Sequence, residues 1–347
     1  MTVKAPVWRT DIHIAEDMIE EVGRLRGFDN IPLDLPKKSF SGSEVAPMWT
    51  LKQELRDILS DQLGMHELLT YSFVSKDLLE KAGQDPENSY EIVNSISPEL
   101  QRFRQQIVPS LLGKVRENIK AGYSDFSLYE MNQVATKMAG LTDEGTPILK
   151  THLGVVSLSD FYELKAQILA MCRKMRLPVE YRALTKETAK HDTYLEPKRS
   201  AELLVAGQKV GAFGEVKSSV LKRFKIDGVI SASEMNLDKI VDAPRELQVQ
   251  LKISKFPFVE RDLTLKVASD VAFGRFDEKI RNVLDGEKLV NTVEPMSIYQ
   301  ANSDDSTKNI SFHLRFASRD KTLDQAEISD IIEKITVEVV KIGAEVI

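Results

Sequence analysis

Residues 201–216 read AELLVAGQKVGAFGEV. Two apolar-rich runs flank Gly207-Gln208, and that spacing predicts a β-hairpin turning at this pair. A hairpin pairs its strands antiparallel, and the neighbouring sequence extends the pattern. DFSLYEMNQVATKM (125–138), THLGVVSL (151–158) and VISASEMNL (229–237) read as strands, and HELLTYSFV (66–74) is a further candidate. Helical periods lie between them. Leu51, Leu55, Ile58, Leu59 and Leu63 make one amphipathic stripe over 50–63. A second helix begins at about Pro109 and runs to 121, with proline suited to its first turn. A third, over 161–176, turns Phe161, Leu164, Ile168 and Met171 or Cys172 inward. The Gly-x-x-Gly of 211–214 reads as a hairpin bulge, because a lone glycine pair is weak support for a phosphate loop. Together these elements predict an α+β unit, an antiparallel sheet with flanking helices.

Residues 255–347 read as a separate unit. RDLTLKV (261–267) alternates as a strand and 272–284 has helical periodicity. KLVNTVEPMSIYQ (288–300) and KNISFHLRFAS (308–318) are strands joined by the polar loop ANSDDST. Residues 324–342 form a helix with Ile328, Ile331, Ile332, Ile335 and Val339 facing in, and AEVI ends the chain as a short strand. The order βαββαβ is ferredoxin-like, with both helices on one sheet face. On the polar side of ISFHLRF lie His313 and Arg315, Lys266 lies on the polar side of its own strand, and Arg319 and Lys321 follow in the turn.

The other end is acidic. TDIHIAEDMIEEVGR (10–24) places Asp11, Glu16, Asp17, Glu20 and Glu21 within eleven residues. Ile12 and Ile14 suit a short strand ending near Ile14, and from Ala15 a helix buries the stripe Met18, Val22 and Leu25. Asp17, Glu20, Glu21 and Arg24 share another face, with Asp11 just upstream and Glu16 turned outward. Two readings stay open: acids that complement a helix dipole in water, or oxygen ligands for magnesium. Residues 1–31 are too short for a core and read as the tail of a domain, and NIPLDLPKKSFSGSEVAP reads as a linker.

Composition narrows the function. The chain has 347 residues, enough for two or three domains, and 42% are hydrophobic. No run of about 18 apolar residues suggests a membrane span. Cys172 stands alone, which excludes an internal disulfide and a cysteine zinc cluster and fits a reduced cytoplasmic setting. The net charge of −6 argues against nonspecific coating of nucleic acid. Five histidines (13, 66, 152, 191 and 313) show no metal spacing, and Gly-x-Ser-x-Gly is absent. His191, in KHDTYLEPKRS, reads as part of a polar loop.

Six ordered pieces point to a family: APVWRTDIHIAEDMIEEVGRLRGFDNIP, YSFVSKDLL, NSISPELQRFRQQIVPSLL, DFYELKAQI, RSAELLVAGQKVGAFGEV, and KFPFVERDLTL with RDKTLDQAEI. Together they resemble the C-terminal half of the β subunit of bacterial phenylalanyl-tRNA synthetases. The resemblance implies the tail of a helix-turn-helix-like domain over 1–31, a class II synthetase-like but non-catalytic domain over 45–240, and a ferredoxin-fold anticodon-binding domain over 255–347, with the proline-rich linker over 32–44 between the first two. It implies a fragment, since the family's N-terminal half is missing. It also implies magnesium shared with an α subunit, with Asp11, Asp17, Glu20 and Glu21 at the ligand positions. ATP and phenylalanine would be bound by that α subunit in an α2β2 heterotetramer that charges tRNA-Phe. Tyr299 aligns with the family's anticodon-contacting aromatic, to which Lys266, His313, Arg315 and Arg319 would add polar contacts.

Catalysis by this chain itself is not expected. Where the second class II motif would lie, Glu130 is present, but the arginine two residues before it is Leu128. Arg102 and Arg104 are expected to play a structural role facing the α subunit, with the helices at 50–63 and 109–121 as interface elements. The alternative is a free-standing RNA-binding or regulatory protein. An independent metal-dependent enzyme lacks an adjacent base, nucleophile or substrate loop.

Overall fold

The structure is a computed structural model that describes every residue except 1, 36, 38, 40–41, 186–187, 247–253 and 301–305. The chain divides into two compact units, Met1–Arg245 and Glu246–Ile347.

In the first unit the helices are α1 (Ala15–Arg26), α2 (Pro47–Arg56), α3 (Lys76–Lys81), α4 (Val108–Lys120), α5 (Phe161–Lys174) and α6 (Ser218–Phe224). The strands are β1 (His66–Glu67), β2 (Phe73–Val74), β3 (Arg102–Phe103), β4 (Ser127–Val134), β5 (Lys150–Ser157), β6 (Val179–Ala183), β7 (Leu195–Val205), β8 (Gln208–Val216) and β9 (Ser231–Asn236). Seven strands form one sheet in the order β1-β4-β5-β9-β8-β7-β6, and β2 pairs with β3 apart from it. Every pairing in the large sheet is antiparallel except β1 with β4.

The period of two along each strand builds two cores. Tyr129, Met131, Leu153, Val155, Phe213 and Met235 face one way, with Leu51 and Leu55 of α2 and Leu164 and Ile168 of α5. Leu128, Val156, Ala212 and Ala232 face the other, with Leu111 and Val115 of α4 and Val220 of α6. Gly154 belongs to this second face. A Cβ there would come within 2.6 Å of the Ile107 side chain, so the bare backbone lets the start of α4 settle onto β5.

Several expectations change. The hairpin turns at Ala206-Gly207, one residue earlier than read, with both residues at positive φ, 50° and 77°. That is the backbone twist two-residue hairpins prefer. HELLTYSFV is not one strand. His66 and Glu67 join the large sheet, Phe73 and Val74 join β3, and between them the Thr70 hydroxyl donates to Glu130 Oε2 at 2.6 Å. The 50–63 helix is α-helical only to Arg56 and continues as a π-helical turn over Asp57–Gln62. The strand up to Ile14 does not form, because the His13 and Ile14 amides a ladder would need both donate to Asp17 Oδ2, at 2.7 and 3.0 Å. The stripe on α1 is not buried either. None of its residues is: Met18 is half-buried, and Val22 and Leu25 are 59% and 84% exposed, so the described residues leave most of that face open.

The second unit runs β10 (Val259–Ala268), α7 (Phe273–Gly286), β11 (Val290–Tyr299), β12 (Thr307–Ala317), α8 (Gln325–Lys341) and β13 (Glu345–Val346), the βαββαβ order read from the sequence. Its sheet order is β11-β12-β10-β13, all antiparallel. Leu263, Leu265, Ile310, Phe312, Leu314 and Phe316 pack with Phe276 and Ile280 of α7 and Ile331, Ile335 and Val339 of α8. Asp324 starts α8 with a capping box: its Oδ1 accepts the Ala326 and Glu327 amides, and Glu327 Oε2 accepts the Asp324 amide. Most of the ANSDDST loop lies outside the described residues.

Candidate functional site

The four acids proposed for magnesium have separate employments. Arg9 donates to both Asp11 oxygens, with its Nη2 2.7 Å from Oδ2, and reaches Glu21 Oε1 at 2.6 Å. Arg24 takes Glu21 Oε2, also at 2.6 Å. These guanidinium bonds hold the carboxyls of Asp11 and Glu21 down at about 2. Asp17 is lowered by the two backbone amides it accepts at the start of α1. Glu20 is exposed on the helix. Carboxylate chemistry suits a hard cation, yet the arrangement does not present one site. Among the described residues no three acids, histidines or cysteines converge as a metal would require.

In the large sheet the expected outward role of Arg104 is overturned. Its side chain is 1% exposed and that of Glu130 is 0%, and the two meet at 2.9 Å. Arg104 also donates to Thr70 Oγ1 and to the Gln133 carbonyl. The alternation of β4 points Glu130 toward the face that carries α4, where a guanidinium neutralises it. Arg102 is buried too, its Nη1 donating to the Pro86 carbonyl at 2.8 Å. Leu128 carries no charge and Arg104 is consumed inside, so neither offers a cation to a phosphoryl group.

The helix-free face of the second sheet does collect the predicted polar residues. Cross-strand register puts Tyr299 and Lys266 on either side of Asn309, and sets Asp262 opposite His313 and Glu260 opposite Arg315. Four residues of β12 separate the Asn309 row from His313, a span of roughly 13 Å. Tyr299 is 62% exposed at the end of an edge strand. Each of the three predicted cations on the strands has an acid. His313 Nδ1 lies 2.6 Å from Asp262 Oδ1, Arg315 Nε 3.3 Å from Glu260, and Lys266 Nζ 3.5 Å from Glu345. The Asp262 hydrogen bond raises the His313 pKa above its ordinary value. Arg319, in the bend after β12, is exposed. Sequence reading missed Phe258, over whose ring the Arg315 guanidinium sits at 4.4 Å. The alternation of β10 beginning at Val259 was its signal.

A seven-stranded, mainly antiparallel sheet between helix layers is followed by a ferredoxin-like unit with an open polar face. Known families agree. The family described as phenylalanyl tRNA synthetase beta chain CLM domain matches residues 31–237, and the ferredoxin-fold anticodon binding domain matches 254–346. The chain belongs to the phenylalanyl tRNA synthetase beta chain family. Among its relatives is a phenylalanine–tRNA ligase beta subunit from Streptococcus thermophilus, 26% identical over 349 residues, covering 96% of this chain and 42% of the relative. That of Dehalococcoides mccartyi is 28% identical over 341 residues, covering 94% and 41%. That of Syntrophotalea carbinolica is 28% identical over 366 residues, covering 100% and 44%. The chain thus spans about two fifths of the length of the curated relatives it matches.

Proposed function

We propose that this chain serves as the C-terminal part of the β subunit of a phenylalanine–tRNA ligase. It docks an α subunit that binds ATP and phenylalanine, in an α2β2 assembly in the cytoplasm, and takes no direct part in the chemistry. The observation that carries the reading is the buried Arg104–Glu130 pair: the acid of the nucleotide-binding motif is kept, but its charge is spent on stability. The helix-free face of the second sheet receives the anticodon of tRNA-Phe. A base stacks on Tyr299, and Lys266, His313, Arg315 and Arg319 are the polar contacts around it. Because the strand cations already have acids, binding there exchanges ion pairs for RNA contacts and favours a small, specific footprint over broad phosphate attraction.

Asp11, Asp17, Glu20 and Glu21 are proposed as magnesium ligands that come together only against the α subunit, where Arg9 gives up its hold on Asp11 and Glu21. The non-converging arrangement of the chain alone fits a shell completed by a partner.

Co-expression with a bacterial α subunit, followed by size exclusion and a phenylalanine charging assay with and without this chain, tests the reading. Co-elution and charging only when both are present are expected. Activation of phenylalanine with ATP by this chain alone would refute it.

A further inference from the structure

At the end of the large sheet where β4 and β9 finish and β5 begins, a cavity of about 560 Å³ opens on the α4 side. No step of the reading above uses it. Its walls include Gln84, Gln106, Lys150, His152, Lys190 and His191. Two buried acids organise this wall from behind. Glu234 of β9 accepts the Ile107 amide at 2.9 Å, the Val108 amide at 3.0 Å and His152 Nδ1 at 2.9 Å. Backbone amides only donate, so the carboxylate accepts from both of them, and this network assigns the His152 proton to Nδ1. The imidazole is thereby fixed in orientation, and its Nε2 makes no bond among the described residues. Asp192 accepts Gln106 Nε2 at 3.2 Å, which turns Gln106 Oε1 toward Gln84 Nε2 at 2.5 Å. The amide relay therefore has one direction, set by the carboxylate at its end, and leaves Gln84 Oε1 buried without a partner among the described residues.

The rim is cationic. Lys150, Lys190 and His191 are exposed, and neither lysine has a carboxylate partner among the described residues, in a chain whose net charge is −6. Asp85 is the acid on the lining, and Val134 and Met138 supply apolar surface. A cavity of several hundred Å³ with a few convergent polar groups and an apolar wall is the ordinary form of a small-molecule site. We propose that it binds a small organic oxyanion, a phosphate or a carboxylate on a body no larger than a nucleotide. The headgroup meets Lys150, Lys190 and the oriented His152, and the body lies toward Val134 and Met138.

The test uses the full 347-residue chain with AMP, adenosine and glutamate as probes, read by calorimetry and by the ¹⁵N shifts of the His152 ring. AMP should bind and move the His152 resonances, while adenosine, the same body without the anion, should bind at least about tenfold more weakly. Lys150→Ala removes an exposed side chain and leaves the fold alone. It should weaken AMP about threefold, and His152→Gln about tenfold. Displacement of AMP by glutamate would assign the carboxylate as an accepted headgroup, and its failure to displace would assign phosphate. The proposal is overturned if neither AMP nor glutamate binds up to about 10 mM. Adenosine binding as tightly as AMP, or both substitutions leaving AMP affinity unchanged, would overturn it as well.

Discussion

Arg104 and Glu130 meet inside the first unit, almost wholly out of water, where Arg104 also binds Thr70 and the Gln133 carbonyl. His313 and Asp262 meet at a shorter distance on the open face of the small sheet, with water on one side. The chemistry is alike, an acid and a base from different elements, and the consequences are opposite. A buried pair is a commitment: removing one partner strands a charge where nothing else can solvate it. An exposed pair is nearly neutral for stability and can be traded for another partner. The large sheet uses its acid as a structural tie, and the small sheet has kept its charges exchangeable, as the proposed RNA contact would require.

The sharpest way to break this contrast is at Arg104. Arg104→Met should destabilise the first unit by about 3–5 kcal/mol, seen as a lower urea midpoint, and the double change Arg104→Met with Glu130→Leu should recover most of it. An Arg104→Met chain with unchanged stability would mean that the pair is not sealed from water.

On the other sheet the largest effect belongs to the aromatic. In the complete ligase Tyr299→Ala should weaken tRNA-Phe by about 1–3 kcal/mol, the worth of one stacked base, with unchanged thermal unfolding. An unaltered KM for tRNA would remove the anticodon assignment. At the acidic helix, Asp17→Ala in the α–β complex should weaken magnesium several-fold by titration, about 1 kcal/mol or less if the carboxylate is only one of several ligands. Unchanged affinity together with unchanged assembly would reject the ligand reading.

The smallest effect is a pH dependence. The folded-state pKa of His313 is raised by Asp262. Its stabilising contribution is therefore complete below the unfolded value and fades as pH rises through the raised folded value. Asp262→Asn should return the His313 titration, followed by NMR, toward its ordinary value and flatten that fading. A titration left where it was would show that the pair does not form in solution.

Periodicity made the strongly amphipathic elements legible. Ile328, Ile331, Ile335 and Val339 announced α8, and the alternation of KNISFHLRFAS announced both faces of β12. Other features lay beyond local pattern. The edge strand β6, VEYRA, has four exposed residues of five, so no apolar alternation marks it. Asp17 captures the amides on which the strand reading of Ile14 depended. The stripe Met18, Val22 and Leu25 has the spacing of a buried face, but spacing says nothing of whether a neighbour exists to cover it. The tie between Arg104 and Glu130, and that between His152 and Glu234, join residues 26 and 82 positions apart, where sequence offers no register until the strand order is known. The candidate anticodon face was readable as separate residues of three strands, but the pairing of its cations with Asp262, Glu260 and Glu345 was not, since each acid lies on a neighbouring strand.

Glu234 carries a last consequence, for the order in which the chain assembles. The amides it satisfies, Ile107 and Val108, stand 127 and 126 residues before it. During synthesis the first turn of α4 leaves the ribosome with open donors, and their acceptor arrives only after β4 through β8 have been made. Those hydrogen bonds can therefore close only once β9, one of the last strands of the first unit, is in place.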